Sequence, residues 1–239
     1  MRYAIYFAPP AEHPLHTLGT AWLGRDALTG AAAVQPATGL PPEELAAVTR
    51  SPRRYGFHAT LAPPLQLAPG RDIAGLEAAV PALAARSVPF ALPLELGSIQ
   101  GFLALRPAIR LPALDALAAA CVEVADGFRA APGAAELARR RAAGLTPRQE
   151  ALLQRWGYPY VMDEFRFHMT LSERLEEPRR SRVLATLQAH FAGALDRPAS
   201  IDALTLFVEP EPGGAFRQHR RFPLPAGSDA GAVRNMSHA

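Results

Sequence analysis

Two short runs of this sequence carry the same order of side chains: Tyr55-Gly56-Phe57-His58-Ala59-Thr60-Leu61 and Phe165-Arg166-Phe167-His168-Met169-Thr170-Leu171. Each offers an imidazole and, two residues on, a hydroxyl. Histidine titrates at about 6.5, so of two imidazoles around one volume one can take a proton while the other, charged, gives one. The threonine hydroxyls can donate hydrogen bonds to the non-bridging oxygens of a phosphoryl group as negative charge builds there. Arg54 and Arg166 fall on the same faces as the histidines and can add charge-assisted contacts. The set suits phosphodiester cleavage, with His58 and His168 as catalytic groups, Thr60 and Thr170 binding phosphate, and Arg54 and Arg166 binding substrate.

A single His-x-Thr on a strand is ordinary sheet composition; the repeated heptapeptide makes the pattern specific. Neither histidine has a second His, Cys, Asp or Glu at ligand spacing on its strand face, Glu164 aside, so the reading calls for no metal and no cofactor. The other candidates read as structural. His13 and His16 lie in a proline-bounded loop, His190 lies on a helix, and Arg139, Arg140 and Arg141 form a solvated helical face. His219, among Arg217, Arg220 and Arg221, belongs to a charged edge or to the mouth of the cleft. Trp156, Tyr158 and Tyr160 could stack on a base or close the cleft, with packing in the core the favoured reading.

For the two histidines to meet, each run has to be held extended. Strands over about 54–62 and 164–172 alternate their side chains. Tyr55, Phe57, Ala59 and Leu61 then share a core face, as Phe165, Phe167, Met169 and Leu171 do. The opposite faces present Arg54, Gly56, His58 and Thr60, and Arg166, His168, Thr170 and Ser172. A further strand is expected over 3–8, a pair of strands over 89–106 turning near Gly97 to Gly101, and a hairpin around Gly213-Gly214. Helices are expected near 41–49, 71–87 (broken at Pro81), 112–129 and 178–195. Another opens with Thr146 as N-cap, Pro147 in first place and Gln149 closing a capping box, and stops at Gly157.

Strands and helices alternate irregularly, which predicts an α+β fold with mainly antiparallel sheets. Residues 1–225 are expected to form a single bilobal domain with one motif in each lobe, and 226–239 a disordered tail. At 239 residues, with 49% apolar and 20% charged, the chain can bury a sizeable core. All 25 basic residues are arginines, which excludes Schiff-base chemistry and a P-loop lysine. A net charge of +3 spread along the chain does not suit a dedicated nucleic-acid binder but admits a small phosphorylated substrate. The lone cysteine, Cys121, forms no internal disulfide, and a reducing cytoplasm is the expected compartment. The N-terminal run reaches Pro9-Pro10 too soon for a signal peptide, and no segment approaches a membrane span. Nothing in the sequence sets an oligomeric state.

The motifs His58-Ala59-Thr60-Leu61 and His168-Met169-Thr170-Leu171 resemble those of the two-histidine (2H) phosphoesterase superfamily. That resemblance implies a bilobal, pseudo-twofold α+β fold, two mainly antiparallel sheets facing a central cleft with helices outside, and no metal requirement. It also implies activity on cyclic phosphates or on phosphodiesters at RNA ends. The runs Arg2-Tyr3-Ala4-Ile5-Tyr6-Phe7, Trp22-Leu23-Gly24-Arg25-Asp26, Glu136-Leu137-Ala138-Arg139-Arg140 and Trp156-Gly157-Tyr158-Pro159-Tyr160-Val161 resemble a bacterial branch described as a phosphonate-metabolism protein. This closer resemblance implies a ribose cyclic phosphate, of the kind made during carbon–phosphorus bond cleavage, as substrate. Two other readings stand beside hydrolysis: RNA-end processing or ligation at the same site, against which the modest charge weighs, and a non-catalytic sensor of a phosphorylated metabolite. The repeat alone leaves open which histidine is acid and which is base.

Overall fold

The computed structural model describes residues 1–225; the tail expected over 226–239 lies outside the described residues. In chain order the elements are β1 (Arg2–Phe7), α1 (Pro14–Leu23), α2 (Pro42–Val48), α3 (Arg50–Tyr55), β2 (Ala59–Leu65), α4 (Ile73–Ala84) and β3 (Phe90–Leu92). Then follow β4 (Leu94–Ile99), β5 (Phe102–Pro107), α5 (Pro112–Asp126), α6 (Ala134–Arg141) and α7 (Pro147–Trp156), with a 3₁₀ turn at Met162–Glu164. The chain continues through β6 (Met169–Arg174), α8 (Arg179–His190), β7 (Ala199–Ile201), β8 (Ala203–Glu209) and β9 (Arg217–Pro223). The fold is α+β. Seven strands form one antiparallel sheet in the order β4-β5-β6-β2-β1-β8-β9, and β3 pairs with β7 in a small second sheet.

The two motif strands, β2 and β6, are neighbours at the middle of the large sheet, each with its outer partner, β1 or β5, antiparallel to it. In place of the two separate sheets expected from the sequence, the strands form two arms of this one sheet. A single bridged pair, Ala59 with Met169, joins the arms. Helices cover one face: α5 packs on β2, α4 on β8 and β9, α8 on β4 and β5, and α1 on β6. Strand β1 shows both faces at work. Tyr3, Ile5 and Phe7 enter the main core, which also takes in Leu105 of β5, while Ala4 and Tyr6 join a smaller cluster with Phe207 and Phe216 on the other side.

Local chemistry explains most of the elements. Thr146 accepts from the backbone N–H of Gln149, the Gln149 side chain returns a bond to the Thr146 N–H, and left-handed Gly157 ends α7. The expected break at Pro81 does not occur. Pro81 removes one backbone donor three residues before α4 ends, and the buried stripe of Leu76, Val80 and Leu83 holds the last turn in place.

Helix α1 replaces the loop expected around His13 and His16. Pro14 takes its first position, and Nδ1 of His13 accepts from the Leu15 N–H at 3.1 Å. Gly19 within it is required by packing, since a Cβ there would stand 2.2 Å from the Phe57 ring. The indole N–H of Trp22 donates to the Leu171 carbonyl at 2.8 Å. This one helix therefore steadies the segment before β2 and the strand β6 alike.

Candidate active site

Neither motif is a strand throughout. Residues 50–55 are helical, and Gly56 turns the chain into β2 with φ of 75°, a left-handed backbone that favours glycine. A Cβ on Gly56 would also sit 2.4 Å from that of Ala27. In the second copy a 3₁₀ turn precedes Phe165, and the strand begins only at Met169. Alternation therefore holds from Phe57 to Leu61 and from Phe167 to Leu171. Phe57, Ala59, Leu61, Phe167, Met169 and Leu171 are all buried in the main core.

The expected faces fail outside that span. Tyr55 ends α3 and packs with Phe216 in the smaller cluster, not in the main core. Ser172 does not face the cleft. Its hydroxyl is buried, accepts from the Leu103 N–H at 2.8 Å and belongs to the sheet ladder.

The bridged pair explains how the active groups meet. Ala59 stands opposite Met169, and the strands are antiparallel. His58 and Thr60 flank Ala59 in the chain, and His168 and Thr170 flank Met169, so the bridged pair brings the four residues to one place. Opposite residues in such a pair have Cβ atoms about 5 Å apart. All four side chains line one cleft of about 600 Å³. Each histidine thus has its own threonine two residues on, and the two motifs share the cleft.

The imidazoles are held alike. Nδ1–H of His58 donates to the Gly56 carbonyl at 3.0 Å, and Nδ1–H of His168 to the Arg166 carbonyl at 2.7 Å. A carbonyl oxygen only accepts, so each bond places the proton on Nδ1 and leaves Nε2 to receive or deliver one. The Thr60 hydroxyl lies 3.4 Å from Nε2 of His58.

Their surroundings differ. The His58 ring stacks on Tyr6 with centroids 4.0 Å apart, above Phe207, while His168 has Phe102 beside it at 5.4 Å. Burial pushes His58 down to about 4, opposed in part by the Gly56 carbonyl and helped by charge on His168. Burial also lowers His168, and the Arg166 carbonyl opposes it.

Arg54 lines the cleft that holds both histidines; Arg166 does not. Because residue 166 precedes the strand, its guanidinium turns back onto the carbonyls of Asp163 and Phe165. It borders a smaller recess beside His168 and a second cavity of about 1190 Å³ that contains neither histidine. The sequence reading missed three other arginines of the cleft wall: Arg2, Arg139 and Arg140. Arg2 and Arg54 both pair with Glu209, a carboxylate that is wholly buried. Hydrogen bonds from Arg2 foremost, and from Arg54, hold it down at about 2 against the cost of burial. Arg140, expected on a solvated face, instead lies over the Tyr158 ring, 4.4 Å from its centroid. Tyr158 and Trp156 pack against the main core as expected, and Tyr158 also lines the cleft.

His190 bonds to the Leu18 carbonyl and His219 pairs with Glu77, both away from the cleft. Burial raises the Cys121 thiol, which makes it inert. Among the described residues no cluster of three His, Cys, Asp or Glu side chains could hold a metal ion, and no helix is long and apolar enough to cross a membrane.

A family model described as "Protein of unknown function (DUF1045)" matches residues 60–217. The chain is 41% identical over 219 residues to a protein of Laribacter hongkongensis (strain HLHK9) named "Ribose 1,5-bisphosphate phosphokinase PhnN", covering 91% of this chain and 50% of that protein. It is 39% identical over 244 residues to a protein of the same name from Janthinobacterium sp. (strain Marseille), covering 100% of this chain and 53% of the relative. The chain thus spans about half the length of these relatives. Among solved structures it is similar, at a TM-score of 0.42 and 18% identity, to one titled "Crystal structure of phosphoesterase", over 93% of this chain and 98% of the other. The same score and identity hold for E. coli LigT complexed with NADP+, over 93% and 96%.

Proposed function

The chain belongs to the DUF1045 family, and from the paired histidines of its cleft we propose that it hydrolyses a small cyclic phosphodiester by general acid and base catalysis. The observation that carries this reading is the convergence of His58, Thr60, His168 and Thr170 on one cleft, with both Nδ1 atoms occupied by carbonyls. His58 takes at Nε2 the proton of the attacking water. His168, protonated at Nε2, returns one to the oxygen that leaves phosphorus. The threonine hydroxyls donate to the two non-bridging oxygens. Burial lowers both imidazoles, His58 to about 4, so His58 rests in the neutral form from which a base starts; the acid's part is assigned to the more open His168. These proton transfers need no metal ion.

A ribose 1,2-cyclic phosphate is the substrate we propose. Relatives named for ribose 1,5-bisphosphate support the sugar class, and opening the ring at O2 leaves the phosphoryl group on O1. The test is turnover in EDTA of a ribose 1,2-cyclic phosphate and a nucleoside 2′,3′-cyclic phosphate by wild type, His58→Ala and His168→Ala. Cleavage by wild type and failure of both variants is the expected result. Cleavage only on adding metal, or variants that match wild type, would overturn the mechanism.

A further inference from the structure

The cleft holds more positive charge than a cyclic phosphodiester needs. Arg2, Arg54, Arg139 and Arg140 line it, and among its lining residues there is no carboxylate. The four come as two pairs on opposite elements, each gathered by one carboxylate from behind. Arg2 of β1 and Arg54 of α3 share Glu209, which also accepts from the Gly213 N–H at 3.1 Å and so ties them to the turn before β9. Arg139 and Arg140 of α6 share Glu136, at 3.9 and 2.7 Å. Each pair sets two guanidiniums against one carboxylate and leaves one positive charge for the cleft.

A cyclic phosphodiester brings a single negative charge, and the histidines and threonines already meet it. The arginine pairs are therefore surplus to the reacting group. Arg140 is held in place from two sides: its guanidinium carbon lies 4.4 Å from the Tyr158 ring centroid, and its Nη2 donates to Glu136 at 2.7 Å. A phosphate monoester carries about two negative charges at neutral pH, the amount the two pairs leave unmatched.

We propose that the two arginine pairs form a second anion subsite, which takes a terminal phosphate monoester on the same substrate whose cyclic ester lies between the histidines. The subsite rests on the hydrolase reading for the position of the reacting ester. It adds a demand on the substrate: the sugar carries a second phosphoryl group, remote from the ring being opened.

The experiment compares kcat/KM for ribose 1,2-cyclic phosphate with and without a phosphate on O5, in wild type, Arg54→Gln and Arg140→Gln. Calorimetry of ribose 5-phosphate against ribose accompanies it. Wild type is expected to prefer the phosphorylated ester by about a hundredfold or more, and each substitution to cut that ratio by about tenfold. Arg54 is tied to buried Glu209 and its loss can unfold the chain. Arg140 lies on a helix without buried residues, so Arg140→Gln keeps the test decisive. Equal handling of the two esters by wild type, or a ratio unmoved in Arg140→Gln, would overturn the subsite. If neither ester is cut but ribose 5-phosphate outbinds ribose and loses that advantage in Arg140→Gln, the hydrolase reading falls and the subsite stands. If ribose 5-phosphate binds no better than ribose, the subsite falls whatever the turnover.

Discussion

His58 packs against the rings of Tyr6, Phe207 and Tyr55, with centroids 4.0 to 6.0 Å away, while His168 lies against Phe102 at 5.4 Å. The backbone device is the same in both: Nδ1 bonded to the carbonyl two residues earlier, Nε2 left for chemistry. The repeated motif therefore sets the tautomer, and the packing around each copy sets how readily it takes charge. Burial drives both down, and His58 goes to about 4. Two copies of one heptapeptide can in this way divide acid from base without differing in sequence at the working positions.

The largest effect should come from removing either imidazole. His58→Ala and His168→Ala are each expected to lose a hundredfold or more in kcat/KM. The comparison sharpens in what remains. With His58 as base, the residual activity of His168→Ala rises with pH through about 4 and then stays level; activity that falls across that range reverses the assignment.

Thr60→Val and Thr170→Val should each lose about tenfold to a hundredfold, the worth of a hydrogen bond to a charged group. Near-equal losses in single-turnover assays are expected if each hydroxyl holds one non-bridging oxygen, and a loss confined to one threonine would break that symmetry.

A smaller effect lies behind the His58 arm. Glu209→Ala is expected to cost about 2 kcal/mol at pH 7, discounted from a fully buried pair because both arginines reach solvent. The folded carboxyl titrates below its ordinary value, so its contribution is present above about 4.5 and is lost as pH falls toward about 2. Urea unfolding should show wild type and variant converging over that window. Tyr6→Leu should change activity at pH 7 by less than tenfold, while moving the acid limb of the rate profile upward as His58 is exposed. An unmoved limb would mean that the stack does not set the charge of His58.

Much of the scaffold was legible because its signals are local. Thr146, Gln149 and Gly157 mark the two ends of α7, and Gly213 marks the turn between β8 and β9. The alternation that puts His58 with Thr60, and His168 with Thr170, needs only neighbouring residues. What could not be read is non-local. No local signal says that Ala59 bridges Met169, so the meeting of the two motifs in one cleft appears only with the sheet. Helix α1 was hidden because its N-cap is a histidine and its Gly19 serves a contact with Phe57, far along the chain. Arg54 was placed on the right surface for the wrong reason, since it lies in the last turn of a helix and is held at the cleft by Glu209. Arg2 did carry a signal: it shares its face of β1 with Ala4 and Tyr6, the face that turns toward the cleft.

The single bridge between β2 and β6 has a thermodynamic consequence. A phosphoryl group gripped by Thr60 and Thr170 would fasten the two arms to each other at the point where backbone pairing is thinnest. Occupancy would then act as a removable clasp: a ligand bound at a hundred times its Kd adds about 2.7 kcal/mol to the folded state. The central strands, β2 and β6, should gain hydrogen-exchange protection on filling, ahead of the outer strands β4 and β9.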